Sequence, residues 1–137
     1  MKEQFLNYEQ SLALKELGFD ELCFAYFKDK EFQYPNPYEP FKNSEMKSWC
    51  TTAPLLSQAF RWFREKYGLL NHLTTHLNPH GEDGALEESY GYRIMRNNDG
   101  WKCSLWEELS NYDNHEEAEL ECLKKLIEIA NERGKKN

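Results

Sequence analysis

Asn97-Asn98-Asp99-Gly100 is the segment that most narrows what this chain can fold into. Asn, Asp and Gly tolerate positive φ at little cost, so this run between two apolar segments marks a tight turn joining antiparallel strands. The flanking segments, 88–97 and 101–108, alternate apolar and polar residues with a period of two. Tyr90, Tyr92 and Ile94 share one face of the first; Trp101, Cys103 and Leu105 share one face of the second. Residues 69–77 predict a third strand. Upstream, the aromatic-rich run 22–27 and the segment 31–34 predict a hairpin turned at Asp29-Lys30. Pro35, Pro37 and Pro40 make the stretch to about Ser48 a loop, because prolines supply no ladder donors. Pro79, Gly81 and Gly84 make 78–86 another.

Between and around these strands the period changes to that of a helix. Phe5, Tyr8, Leu12, Ala13 and Leu17 recur at helical intervals, and Gly18 is placed to end the first helix. A second helix is expected from about Thr52, with Thr51 or Thr52 as its cap and Pro54 in its first turn. Leu55, Leu56, Ala59, Phe60, Phe63 and Tyr67 form its apolar stripe, and Gly68 ends it. A third is capped by Asn114, with Glu117 three residues on, and buries Ala118, Cys122, Leu126, Ile127, Ile129 and Ala130 before Gly134 stops it. The order is helix, two strands, helix, three strands, helix. It predicts an α+β fold, an antiparallel sheet of about three to five strands packed against three helices, in a single domain spanning 1–137.

Composition sets limits on function. The 137 residues are 39% hydrophobic and 15% aromatic, enough for one core. Seventeen Lys and Arg against 24 Asp and Glu give a net charge of −7. A groove for a phosphate backbone needs clustered positive charge, so direct nucleic-acid binding is not expected. Met1 to Gln10 hold no continuous apolar run, and no stretch has the apolar length of a membrane-spanning helix; both features point to a cytoplasmic protein. Cys23, Cys50, Cys103 and Cys122 are widely spaced without a CxxC, which predicts reduced, buried thiols rather than a disulfide framework.

Chemical motifs are sparse. His72, His76 and His80 are spaced four apart and offer a candidate metal set, but no HExxH surrounds them and Pro79 stops a helix from carrying His80 onward. Ordinary surface or half-buried histidines are the favoured reading. Glu82, Asp83, Glu87 and Glu88 flank the glycine loop, and their density fits a solvated surface better than an acid–base pair. Neither GxSxG, GxxxxGK[ST] nor GxGxxG occurs, so no catalytic residue and no cofactor is expected.

Three stretches, Ser11–Asp20, Ala53–Gly68 and Ala118–Ala130, together resemble a family of short uncharacterised proteins carried by gut bacteria and by their phages and prophages. Ala59-Phe60-Arg61-Trp62-Phe63-Arg64-Glu65-Lys66 is the most specific part of the match. The resemblance implies a mobile-element setting and carries over no functional residue. The reading is therefore a non-enzymatic accessory protein that binds a macromolecule, expected to be a protein, as a monomer or small homo-oligomer. The alternative is a small metal-dependent hydrolase using the His72 and His76 region. Alternation puts Arg93 on the strand face opposite Tyr92 and Ile94, with Lys102 and Trp106 on the matching face of the next strand; these three residues form the expected partner surface.

Overall fold

The structure, a computed structural model, describes residues 4–34, 39–80, 85–99 and 102–135; the side chains of 76, 78–80, 85–87, 97–99, 102–111 and 134–135 lie outside the description. The elements run α1 (Tyr8–Glu16), β1 (Ala25–Lys28), β2 (Glu31–Gln33), β3 (Cys50–Ala53), α2 (Leu56–Tyr67), β4 (Leu69–His80), β5 (Ala85–Asp99), β6 (Lys102–Tyr112) and α3 (His115–Lys135). The class is α+β, as the sequence predicts. Its strands form two antiparallel sheets, ordered β2-β1-β3 and β4-β5-β6. The chain divides into two compact units, Met1–Trp62 and Phe63–Asn137, with the boundary inside α2.

In the first unit α1 is fixed at both ends by its own sequence. Asn7 Oδ1 accepts the Gln10 backbone N–H at 2.9 Å, satisfying a donor that a helix start leaves open. At the other end Gly18 adopts φ 98°, which lets Phe19 N–H reach Leu14 O at 2.9 Å and Gly18 N–H reach Lys15 O at 3.0 Å. Leu14 and Phe19, brought together by this double closure, are both fully buried.

The hairpin of β1 and β2 turns on Asp29 and Lys30, at φ 49° and 72°, and pairs Phe27 with Phe32. Two positive φ values give the twist a two-residue hairpin needs, here without glycine. Phe27, Ala25 and Ala53 form the small core over which Phe5, Tyr8 and Phe32 pack. The Phe27 ring meets Phe32 at 5.5 Å and Tyr8 at 5.7 Å, both edge-on.

The partner of β1 on its other side is β3, where the sequence reading expected the start of a helix. Thr51 and Thr52 are not caps: they lie in β3, opposite Phe27 and Tyr26, and are 3% and 0% exposed. Two β-branched residues suit a strand better than a helix terminus, and Pro54 then defers α2 to Leu56. On α2, Ala59, Trp62 and Phe63 are buried, while Phe60 is only half-buried. Trp62 closes edge-on against Phe19 at 5.4 Å.

In the second unit the central strand β5 is flanked by β4 and β6. Tyr92 and Ile94, with Leu69, are buried on one face of this sheet, and Ala118, Cys122, Leu123, Leu126, Ile129 and Ala130 of α3 are buried as well. Leu123 takes the place the sequence reading gave to Ile127, which is half-buried. The Tyr90 ring meets His115 edge-on at 5.9 Å, so the start of α3 lies by this part of β5. Asn114 caps α3 as expected, accepting Glu117 N–H at 2.7 Å. Gly134 does not end α3, which continues to Lys135. Arg133 donates to Tyr67 O at 2.7 Å, a tether on the final turn that offsets the weak helix preference of glycine.

Candidate functional site

The surface expected to meet a partner lies on the second sheet, on the side away from Tyr92 and Ile94. Alternation along β5 places Arg93 there, and its side chain is half-buried. In the register Arg93 stands between His72 of β4 and position 108 of β6, occupied by Glu108. One step along, Met95 stands between Leu70 and position 105. His72 is exposed, Leu70 and Met95 half-buried. The face thus mixes a guanidinium, an imidazole and two apolar side chains.

Lys102 and Trp106, the other two residues expected here, have their backbone in β6 and their side chains outside the described residues. So do Cys103 and Leu105; they were expected on the face of Tyr92 and Ile94, but the register sets them across from Asn97 and Met95, in the row of Arg93. Trp101 falls outside the described residues. The backbone does add one fact. Ile94 stands opposite Glu107 while Met95 stands opposite Leu105, so the ladder shifts at Trp106. An irregularity of this kind inserts a residue and re-aims the strand, so a count by twos along β6 does not carry through position 106. No sequence signal announces that shift.

The histidines of the metal alternative all fall on β4. A strand rises about 3.3 Å per residue, so successive histidine positions are about 13 Å apart, whereas zinc holds imidazole nitrogens at about 2 Å. A helix would have stacked positions 72 and 76 one turn apart; the strand separates them. The side chains of His76 and His80 lie outside the described residues. Among the described residues no three His, Cys, Asp or Glu come together as metal ligands. Nor is any described helix long and apolar enough to cross a membrane.

A second polar cluster joins the segment before β1 to α2, and sequence reasoning missed it. Gln58 donates to Leu22 O at 2.9 Å and to Glu21 at 3.4 Å, and Arg61 reaches the same Glu21 oxygen at 3.4 Å. The Cys23 thiol sits 3.8 Å from Gln58 Oε1. These contacts tie chain segments together, and they do not make Cys23 a nucleophile. Burial, with the Glu21 carboxylate adding to it, pushes the Cys23 thiol up to about 11; burial pushes Cys122 up to about 12, with Glu119 adding. Attack requires the thiolate, which is scarce in both at neutral pH. Cys50 is buried too, and all three are free thiols.

No family model, curated protein or solved structure matches the chain.

The raised thiols give a test of the core. Both groups hold their protons more tightly folded than unfolded, so their contribution is complete below the unfolded pKa near 9 and is lost as pH climbs through the folded values. Stability is expected to fall between about pH 9 and pH 11, and the Cys122→Ala variant to fall less steeply over that range. Urea titrations at successive pH values measure this. Equal slopes for the two proteins would show that Cys122 is not the protected thiol described.

Proposed function

We propose that this chain is a non-enzymatic accessory protein that binds a partner protein through the face of the second sheet bearing Arg93. One observation carries the reading: β5 buries Tyr92 and Ile94 on one side while Arg93 stands on the other, in register with exposed His72. A guanidinium amid apolar side chains is the mixture found at energetic centres of protein interfaces. The absence of a described metal set does not decide the matter; the protonated thiols and the spread of histidines along β4 leave the enzyme reading with less to support it. The phage or mobile-element setting belongs to the same proposal and rests on the resemblance of Ala53–Gly68 and its companion stretches; a cytoplasmic location is proposed alongside it.

The experiment is affinity capture from the native host with the full chain as bait, followed by titration of the captured protein against Arg93→Ala and Trp106→Ala variants. A hot-spot residue is expected to cost about 2 kcal/mol or more, a loss of roughly thirtyfold in affinity. Unchanged affinity in both variants, with unchanged melting temperature, would remove this face from consideration.

A further inference from the structure

Charge is mixed along the first unit. Lys15 Nζ donates to Cys50 O at 2.9 Å and to Ser48 O at 3.1 Å on the outer edge of β3, and Arg61 meets Glu21 at 3.4 Å. In the second unit charge is sorted. Residues 67–92 and 103–123 contain no Lys or Arg, in a chain that has 17, so every fixed charge in them is a carboxylate. Arg96 and Lys102 lie at the opposite end of the sheet, near the 97–100 turn, with Arg93, Lys124 and Lys125 between. The end of the unit where β4 turns into β5 and α3 begins is an acidic pole.

At that pole the sheet face packed by α3 outruns the helix. The β4–β5 ladder continues to His80–Ala85, whereas the β5–β6 ladder ends at Tyr90–Tyr112 and α3 begins at His115, whose ring meets Tyr90 edge-on at 5.9 Å. Along the face, burial fades pair by pair. Tyr92 is buried across from half-buried Leu73, Tyr90 is half-buried across from exposed Thr75, and Glu88 and Leu77 are both exposed, Leu77 by 57%. What remains beyond the start of α3 is a two-stranded shelf, and a ribbon of two strands is only marginally stable uncovered. Tyr90 donates to Glu88 Oε2 at 2.8 Å, and this bond pushes its phenol up, with the Glu116 carboxylate adding.

We infer that this shelf, bearing Leu77, Glu88, Tyr90 and Glu116, docks a basic segment of a partner protein. An apolar side chain of the segment covers Leu77, and a Lys or Arg meets the Tyr90 ring between the two carboxylates, where ring and carboxylate attract it together. Charge complementarity selects the occupant. The pole offers carboxylates and no fixed cation, and the chain's −7 draws a basic segment toward it. The same charges repel a phosphate backbone or an anionic lipid surface, and a second copy would bring −7 of its own. The shelf is on the α3 side of the sheet and Arg93 on the other, so this inference does not depend on the Arg93 face.

The probe is a short capped peptide alternating arginine and leucine, titrated into the isotope-labelled full chain at about 0.15 M salt and followed by amide resonances. A peptide with glutamate in place of arginine, and oligothymidylate, are the counterparts. The arginine peptide is expected to bind with a Kd below about 1 mM, with shifts centred on residues 75–77, 88–90 and 115–117, and neither counterpart is expected to bind. Glu88→Gln with Glu116→Gln keeps an acceptor for the Tyr90 hydroxyl and is expected to weaken the arginine peptide about tenfold. Leu77→Ser is expected to weaken it about fivefold. Glu128→Gln with Glu132→Gln removes the same charge farther along α3 and is expected to change affinity less than about twofold. All five positions are exposed, so melting temperatures are expected to stay near that of the parent. Absence of binding, shifts centred elsewhere, equal losses in the two double variants, or tighter binding of either counterpart would each overturn the inference. So would self-association of the unaltered chain that Glu88→Gln with Glu116→Gln abolishes, because the occupant would then be a second copy.

Discussion

Phe63→Ala is expected to destabilise the protein by roughly 3–5 kcal/mol, whereas Phe60→Ala, three residues earlier on the same helix, is expected to cost only about 1 kcal/mol. The two differ because α2 buries its Ala59, Trp62 and Phe63 side. Phe63 is 0% exposed and its ring lies 5.9 Å from Tyr67, so removing it deletes a full set of packing contacts and leaves a cavity. Phe60 keeps part of its surface in water and has less to lose. Urea denaturation of the two variants measures the difference. Equal losses would mean that the buried side of α2 is misplaced.

The same helix shows how far the sequence could be read. Its apolar period is strong enough to establish that a helix is there, and Gly68 ends it at the residue expected. The period alone gave a stripe too broad, running from Leu55 to Tyr67 through Phe60, because a wide apolar band does not state which residues lie at its centre. Trp62 lies outside that stripe, yet it is buried against Phe19. Its start was misread for a different reason: Thr51 and Thr52 serve equally well as helix caps and as strand residues, and only the pairing with Tyr26 and Phe27, about twenty-five residues upstream, decides between the two. Strand partners distant in sequence leave no local mark.

The second sheet was more legible because its turn is local. Asn97–Gly100 predicted the β5–β6 hairpin, and period two predicted that Tyr92 and Ile94 would be buried together. The candidate partner face followed from the same alternation and reaches only as far as alternation does. Arg93 stands opposite His72 and Glu108 in register. The shift at Trp106 interrupts the count, since an inserted residue in one strand is specified by its neighbours across the ladder and not by its own sequence.

Asn43 is the residue whose importance sequence reasoning missed altogether, since it falls in the stretch expected to be a loop after Pro40. It lies in a short 3-10 turn, Asn43–Glu45, and its amide bridges two segments: Nδ2 donates to Phe19 O at 2.9 Å, and Oδ1 accepts Thr52 N–H at 2.9 Å. Next to it Ser44 N–H donates to Asp20 Oδ1 at 2.7 Å, and this bond holds the Asp20 carboxyl below its usual range. The turn therefore clamps the exit of α1 to the outer edge of β3. Thr52 is 0% exposed, so a backbone donor stripped of its acceptor there cannot turn to water. Asn43→Ala is expected to cost about 2–3 kcal/mol, the penalty of a buried donor left open together with the lost bond to Phe19 O. Asn43→Asp keeps an acceptor for Thr52 N–H and loses the donor to Phe19 O, so roughly half that loss is expected. Denaturation midpoints of the two variants rank these effects. If alanine and aspartate cost the same, the Thr52 bond contributes nothing and β3 is held at its outer edge by Lys15 alone.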